Sequence, residues 1–353
     1  MGSKNIIVID GNEFKFRQGE TILQVAERNG IHIPTLCYLK GASPTGACRV
    51  CLVEVERARS LVASCAAPAG PNMVVRTNSD RVRKARKLNI ELLLASGHHY
   101  CATCEADGDC RLQKLAYEYQ VEEIRFPENP VKYPMEDENA MIIRDFSRCV
   151  MCGRCVQACN EVQVNQAISY GYRGTDSKIV TVGDKPYINS DCVFCGECVQ
   201  ACPVGALIPK ASRFKGKPWE TKKIQTTCSY CGVGCQLYLH VKDNRVVRVT
   251  GVKGVKPNNG SLCVKGRFGY DFVNDTGRLN TPLIKENGRF REAGWEEAFD
   301  LVVEKLGAIK KSSGPDSIAI LSSARITNEE NYLAQKFSRA VIGTNNVDHC
   351  ARL

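Results

Sequence analysis

The stretch "CVMCGRCVQACN", Cys149–Asn160, returns almost word for word as "CVFCGECVQACP", Cys192–Pro203. Each run carries four cysteines spaced C-x2-C-x2-C-x3-C, and Asn160 replaces the closing proline of the second run, which costs a rigid turn and little chemistry. The repeat accounts for eight of the 20 cysteines in the 353-residue chain. The opening "MGSKNIIVID" enters a strand pattern with no charged-then-apolar leader, and Ile6 stands where a myristoylation signal needs Ser or Thr. No apolar run approaches the length of a membrane span. The cysteines therefore read as metal ligands in a reducing cytoplasm, not as disulfides. Repeated spacing of this kind leaves zinc and disulfides as poor alternatives.

The repeat resembles the bacterial two-cluster ferredoxins, in which the fourth cysteine of each run serves the other cluster. That resemblance implies one [4Fe–4S] cluster on Cys149, Cys152, Cys155 and Cys202, and another on Cys159, Cys192, Cys195 and Cys198. The formal charge of +10 would otherwise hint at nucleic acid. Five oxidised clusters would add roughly −9 and bring the holoprotein near neutrality. No basic run with interleaved aromatics appears, so the reading is no nucleic acid.

Three further cysteine groups remain. Cys37, Cys48, Cys51 and Cys65 follow a hairpin signal at Asp10-Gly11-Asn12 and a short helix in "TILQVAERNG". "LVEVE" and "MVVRT" read as further strands. With the loop "GASPTGACRVC", this resembles a β-grasp [2Fe–2S] ferredoxin of the kind that opens the large iron–sulfur subunit of respiratory complex I. Four thiolates alone also suit zinc. "SGHHYCATCEADGDC" places Cys101, Cys104 and Cys110 after two histidines. It resembles the one-histidine, three-cysteine [4Fe–4S] segment of complex I and of NAD-linked hydrogenase diaphorase subunits. That family sets the histidine four residues before the first cysteine, where this chain has Gly97. A loop shortened by one residue makes His98 the preferred ligand, with His99 its rival.

"CSYCGVGC" and "CVKGRFG" supply Cys228, Cys231, Cys235 and Cys263. Spacing alone allows zinc or [4Fe–4S]. The surrounding words resemble the N-terminal cluster domain of molybdopterin oxidoreductases, especially formate dehydrogenases. There a lysine two residues after the fourth cysteine links cluster and pterin, and Lys265 holds that position; a surface lysine is the plainer alternative. Cys350 is left without a metal role.

The reading is an α+β multidomain iron–sulfur protein. It has a β-grasp [2Fe–2S] domain at 1–78, a helical His-ligated [4Fe–4S] domain at 79–124 and a linker at 125–140. A two-cluster ferredoxin domain at 141–210 and a linker at 211–223 follow. A molybdopterin-oxidoreductase [4Fe–4S] domain occupies 224–280, and 281–353 begins a doubly wound molybdopterin-binding α/β domain, incomplete at this length. In that last segment, "WEEAFDLVVEKLGAIK" is an amphipathic helix with Phe299, Val302, Val303 and Leu306 on one face. "DSIAILSSA" is a buried strand, and Thr327 caps a helix that Gly343 closes.

The resemblance covers essentially the whole chain and implies the α subunit of a cytoplasmic, metal-dependent formate dehydrogenase. It further implies one [2Fe–2S] and four [4Fe–4S] clusters, and molybdenum or tungsten bis-molybdopterin guanine dinucleotide in the full-length protein. Formate/CO2 would be the substrate pair, and flavin/NAD(P)-binding iron–sulfur subunits, ferredoxin or both the redox partners. The alternatives are a non-catalytic electron-transfer scaffold or subunit of an NAD-linked hydrogenase. In formate dehydrogenases a segment resembling "IGTNNVDHCARL" precedes the metal-binding selenocysteine or cysteine. The expectation is therefore a selenoprotein read as ending at Leu353; a split gene is the plainer alternative.

Overall fold

The computed structural model describes residues 5–129 and 132–350, so the readings placed on residues 1–4 and 351–353 lie outside it. The chain divides into two compact units. The first is residues 1–224, 238–250 and 261–268; the second is 225–237, 251–260 and 269–353.

The first unit opens with β1 (Ile6–Ile9) and β2 (Asn12–Lys15), paired antiparallel about Asp10 and Gly11. Both turn residues take positive φ, 48° and 84°, as a two-residue hairpin of the twist-matching type requires. Thr21 caps α1 (Ile22–Arg28): its hydroxyl accepts from the Gln24 N–H, and the Gln24 side chain accepts from the Thr21 N–H. β3 (Leu52–Val55), β4 (Val62–Ala63) and β5 (Val74–Arg76) complete a sheet in the order β2-β1-β5-β3-β4. β1 runs parallel to β5 and the other pairs are antiparallel. Ile7, Ile9, Leu23, Val25, Val53 and Val75 are fully buried in its core. Each such side chain is worth about 1.5–3 kcal/mol of burial.

The cysteine loop is divided between two cores: Cys51 and Cys65 join that of the sheet, and Cys37 and Cys48 join a second. Leu36, Cys37, Cys48 and Val50 pack with Ile90 of α2 (Asp80–Leu94), Leu112 of α3 (Arg111–Glu118) and the first run of the repeat. Buried Arg86 of α2 donates from Nε and Nη2 to the Leu52 carbonyl at 3.0 and 2.6 Å. The stretch read as a linker at 125–140 is pinned at both ends. Arg125 forks onto buried Glu91 at 2.9 and 2.7 Å, and Glu136 exchanges two 2.9 Å backbone hydrogen bonds with Arg144.

The repeat follows as β6 (Ile142–Arg144), α4 (Arg154–Gln157), β7 (Ser169–Gly171), β8 (Lys178–Val180), α5 (Glu197–Ala201) and β9 (Leu207–Pro209). β6 pairs antiparallel with β9, bringing the two ends of the repeat together. β7 and β8 form a hairpin between the cysteine runs. Strands β10 (Lys222–Thr227), β11 (Gln236–Lys242) and β12 (Arg245–Gly251) form a sheet in that order. α6 (Val264–Phe268) returns to the first unit.

In the second unit β13 (Leu283–Glu286) and β14 (Arg289–Glu292) form a hairpin about Asn287 and Gly288, both at positive φ. α7 (Trp295–Ser313) has acids in its first turn and lysines in its last, matching the helix dipole. β15 (Ile320–Ser322), α8 (Asn328–Lys336) and β16 (Val347–His349) make a parallel β-α-β unit. Thr327 caps α8 as expected, and Glu330 completes a capping box with it. The expected buried strand does not: β15 spans three residues and Leu321 is 82% exposed. Two parallel strands cannot cover their own faces. For the same reason Phe299, Val302 and Val303 of α7 stand exposed.

Candidate metal centres

Cys37, Cys48, Cys51 and Cys65 are all buried. The Cys48 N–H donates to Cys37 Sγ at 3.5 Å, and the Cys37 N–H donates to Cys48 Sγ at 3.4 Å. Thiol hydrogen bonds from Cys48 and Cys65 pull Cys37 far below the usual thiol range, and the same bonds push Cys48 and Cys65 up. Four sulfurs this close cannot all carry charge alone. A cluster that takes four thiolates fits that donor set.

A second cavity is lined by His99, Cys101, Cys104 and Cys110, with Arg148 and Gly205 on its wall. His99 Nε2 is buried with no hydrogen-bond partner among the described residues. Burial lowers its pKa to about 4, so the imidazole is neutral with a free lone pair. The preferred His98 lies elsewhere: its side chain is 43% exposed and Nε2 is 3.5 Å from a Glu128 carboxylate oxygen. Gly97 explains the displacement. A side chain there would run into the Ser147 carbonyl, which also accepts the His98 N–H at 2.8 Å. The backbone passes Ser147 too closely for a histidine at position 97, and it is the second following histidine that turns to the cysteines.

A third cavity is lined by Cys149, Cys152, Cys155 and Cys202, the crossed set drawn from both runs. The remaining cysteines also gather. The charge of Cys159 is felt at Cys192, Cys195 and Cys198, and each of those three is pushed up chiefly by burial. The runs share one backbone device. Met151 and Phe194 take φ of 50° and 51°, Gly153 and Gly196 take 76° and 71°. In each run the N–H two residues on donates back to a cysteine: Met151 to Cys149 and Arg154 to Cys152, then Phe194 to Cys192 and Glu197 to Cys195. Successive N–H groups aimed inward make an anion cradle, the environment a thiolate-bound cluster requires.

The fifth group falls in both units. Cys228, Cys231 and Cys235 share one loop of the second unit, closed by a 2.8 Å hydrogen bond from the Cys228 N–H to the Cys235 carbonyl. Cys263 precedes α6 in the first unit, and exposed Lys265 stands on that helix. Among the described residues no three His, Cys, Asp or Glu side chains close on a single metal-ion position. Two of the cysteine sets line cavities instead, that of Cys101, Cys104 and Cys110 and that of Cys149, Cys152, Cys155 and Cys202.

Known families match the chain in series. The 2Fe-2S iron-sulfur cluster binding domain matches residues 5–80, and the NADH-ubiquinone oxidoreductase-G iron-sulfur binding region matches 86–125. The 4Fe-4S dicluster domain matches 147–206. The Molybdopterin oxidoreductase Fe4S4 domain matches 221–275, and Molybdopterin oxidoreductase matches 278–353. Two of these models are domains of molybdopterin oxidoreductases, at residues 221–275 and 278–353. Ahead of them the chain matches an iron–sulfur region of the NADH-ubiquinone oxidoreductase-G type.

"Putative formate dehydrogenase YrhE" of Bacillus subtilis is 35% identical over all of this chain and 40% of its own length. "NADPH-Fe(3+) oxidoreductase subunit alpha" of Geobacter sulfurreducens is 38% identical over 98% of this chain and 40% of its own. The chain thus spans about 40% of the length of these curated relatives. A chain in the crystal structure of an NAD+-reducing [NiFe]-hydrogenase superposes with a TM-score of 0.53 and 31% identity, over 60% of this chain and 90% of its own. Among the described residues no helix is long and apolar enough to cross a membrane.

Cysteine spacing carries no sign of the arginines that join these centres. Arg148 reaches the Tyr100 carbonyl beside Cys101 at 3.3 Å and pairs with Asp145 at 3.0 Å. Arg154 reaches the carbonyls of Tyr38 and Ala201, both at 2.6 Å. Arg267 reaches the Cys195 carbonyl at 2.7 Å and pairs with Glu197 at 3.0 Å. The one signal for them is in the repeat, where Arg154 and Glu197 occupy equivalent positions with opposite charge.

Proposed function

We propose that this chain is the electron-transfer arm of a formate dehydrogenase catalytic subunit, serving formate/CO2 chemistry at a molybdenum or tungsten bis-molybdopterin guanine dinucleotide site. The observation that supports this most is the order of the parts. A complex I-type arm runs directly into the cluster domain of molybdopterin oxidoreductases within one polypeptide. One [2Fe–2S] cluster belongs to Cys37, Cys48, Cys51 and Cys65. The imidazole ligand beside Cys101, Cys104 and Cys110 is reassigned from His98 to His99. The two crossed sets hold a [4Fe–4S] cluster each, and Cys228, Cys231, Cys235 and Cys263 hold the fourth, with Lys265 toward the pterin.

Bound at these residues, the clusters supply one-electron steps and the pterin-bound metal supplies two-electron exchange with formate. The chain's own work is to order, bury and tune the centres. Shared residues join neighbouring sets: Gly205, three residues after Cys202, lies against Cys104, and Tyr38, next to Cys37, accepts from Arg154, next to Cys155. Replacing one thiolate by neutral His99 makes that centre less negative and raises its potential. NAD(P)-flavin subunits or ferredoxin take the outward electrons.

A second reading, an electron-transfer subunit of an NAD-linked hydrogenase or related complex, is favoured by the hydrogenase likeness over 60% of the chain. The full-length subunit, purified without oxygen, separates the two. Roughly 18 irons with stoichiometric molybdenum or tungsten, and clusters bleached by formate, are expected. Iron without either metal, or clusters indifferent to formate, favours the scaffold.

A further inference from the structure

Arg154 is 2% exposed. Its Nε donates to the Ala201 carbonyl and its Nη1 to the Tyr38 carbonyl, each at 2.6 Å. Ala201 precedes Cys202, Tyr38 follows Cys37, and Arg154 itself precedes Cys155. One guanidinium thus touches the neighbours of ligands in two different cysteine sets. The docking around it is specific. The side-chain amide of Gln157 donates to the Ser43 carbonyl, and the Ser43 N–H donates to Glu161 at 2.8 Å. Leu39 packs with Ala158 and Ala201 in a small core of its own.

The charge is the anomaly. An arginine stays protonated, and burying it without a counter-charge costs several kcal/mol by general estimates. Arg148 and Arg267, at the other two junctions, each pair with a carboxylate. Arg154 forms no salt bridge among the described residues, and two neutral carbonyls do not cancel a full charge. The groups beside it that would carry negative charge on binding metal are the cysteines of the two sets it joins, Cys37 and Cys155 among them.

We propose that Arg154 is the charge shared between the [2Fe–2S] cluster and the [4Fe–4S] cluster of Cys149, Cys152, Cys155 and Cys202, and that it raises the reduction potential of both. This rests on the proposed clusters at those cysteines. Reduction adds one negative charge to a cluster, and a fixed positive charge beside it favours that state. When one electron leaves the [4Fe–4S] cluster and enters the [2Fe–2S] cluster, the guanidinium keeps its proton and faces one added negative charge before and after. The step therefore needs no proton movement and little reorganisation at the junction. Arg154 is a positioning residue: it touches no reacting atom and acts through the field at both centres.

The test is a redox titration of the full-length, iron-loaded protein, followed by electron paramagnetic resonance, in wild type and in Arg154→Gln, Arg154→Met and Arg154→Lys. Both neutral variants should retain iron and show weaker reduction of the two clusters, by about tenfold, or about 59 mV for a one-electron couple. Arg154→Lys, which keeps the charge and loses the fork, should stay near wild type. Loaded neutral variants with unchanged potentials overturn the inference and leave the electron-transfer reading intact. Equal shifts in all three variants, or loss of iron in both neutral ones, also overturn it, because the role is then geometry or assembly. Absence of either cluster signal in wild type instead removes the reading beneath it.

Discussion

The two halves of the cysteine repeat share nine of twelve residues, a backbone and a hydrogen-bond pattern, yet Arg154 in one and Glu197 in the other face opposite demands. In the first half the guanidinium spans from its own helix to the loop of Cys37. In the second half the carboxylate receives Arg267 from the segment after Cys263. The cysteine loops are copied; the position just before the third cysteine is specialised for whichever neighbour docks there. The comparison teaches that ligand geometry and junction chemistry are separable in this chain. Backbone amides fold each loop around its sulfurs, and one side chain per half decides what it is joined to.

The largest effect should come from breaking the crossing between the halves. Cys202→Ser should cost the cluster of the first run, about four irons, although the residue lies in the second run. Cys159→Ser should cost the second-run cluster. Iron analysis with paramagnetic resonance decides it, and loss of the cluster in the same run as the mutation would contradict the crossed assignment. A smaller change is expected at the neighbouring centre. His99→Ala should alter the signature of the Cys101, Cys104 and Cys110 cluster, while His98→Ala, which removes contacts to Glu128 and the Tyr100 ring, should leave it alone.

Glu197→Gln probes the second half directly. Arg267 is buried, and removing its partner should destabilise by about 3 kcal/mol, seen as a lower unfolding midpoint. An unchanged midpoint would mean that Gln200 and the Cys195 carbonyl suffice to hold the charge. The smallest effect is acid sensitivity at His240, outside the repeat. His240 is buried and bonded to Thr250 at 2.9 Å, and burial lowers its pKa to about 3. Its folded pKa lies below its unfolded value near 6.5, so the unfolded chain binds the extra proton. The stability it contributes is complete above that value and falls as pH drops toward 3. The midpoint difference between wild type and His240→Gln, measured from pH 7.5 to 5.5, should narrow or reverse in favour of the variant at the acid end.

What was legible in the sequence is what depends on near neighbours. The hairpin at Asp10-Gly11 and the Thr327 helix cap form as expected, because they are satisfied within four residues. Cysteine spacing within each run is local in the same sense. His99 was legible only as the rival of His98, because the close passage of Gly97 along Ser147 joins positions fifty residues apart. The pinned stretch after Arg125 was hidden for the same reason: its anchor, Glu91, lies 34 residues upstream. The exposure of Leu321 and of α7 shows the opposite limit, since an apolar pattern states that a face wants covering and not what covers it.

By itself, then, the sequence determined the cysteine groups, their family and the order of the domains, because thiolate spacing and turn chemistry are short-range properties. Only the tertiary structure decided which histidine faces Cys101, Cys104 and Cys110 and which arginines sit between the cysteine sets. Those choices rest on burial and on distant carbonyls, and the charge on Arg154 has meaning only once Tyr38 and Ala201 have been folded to either side of it.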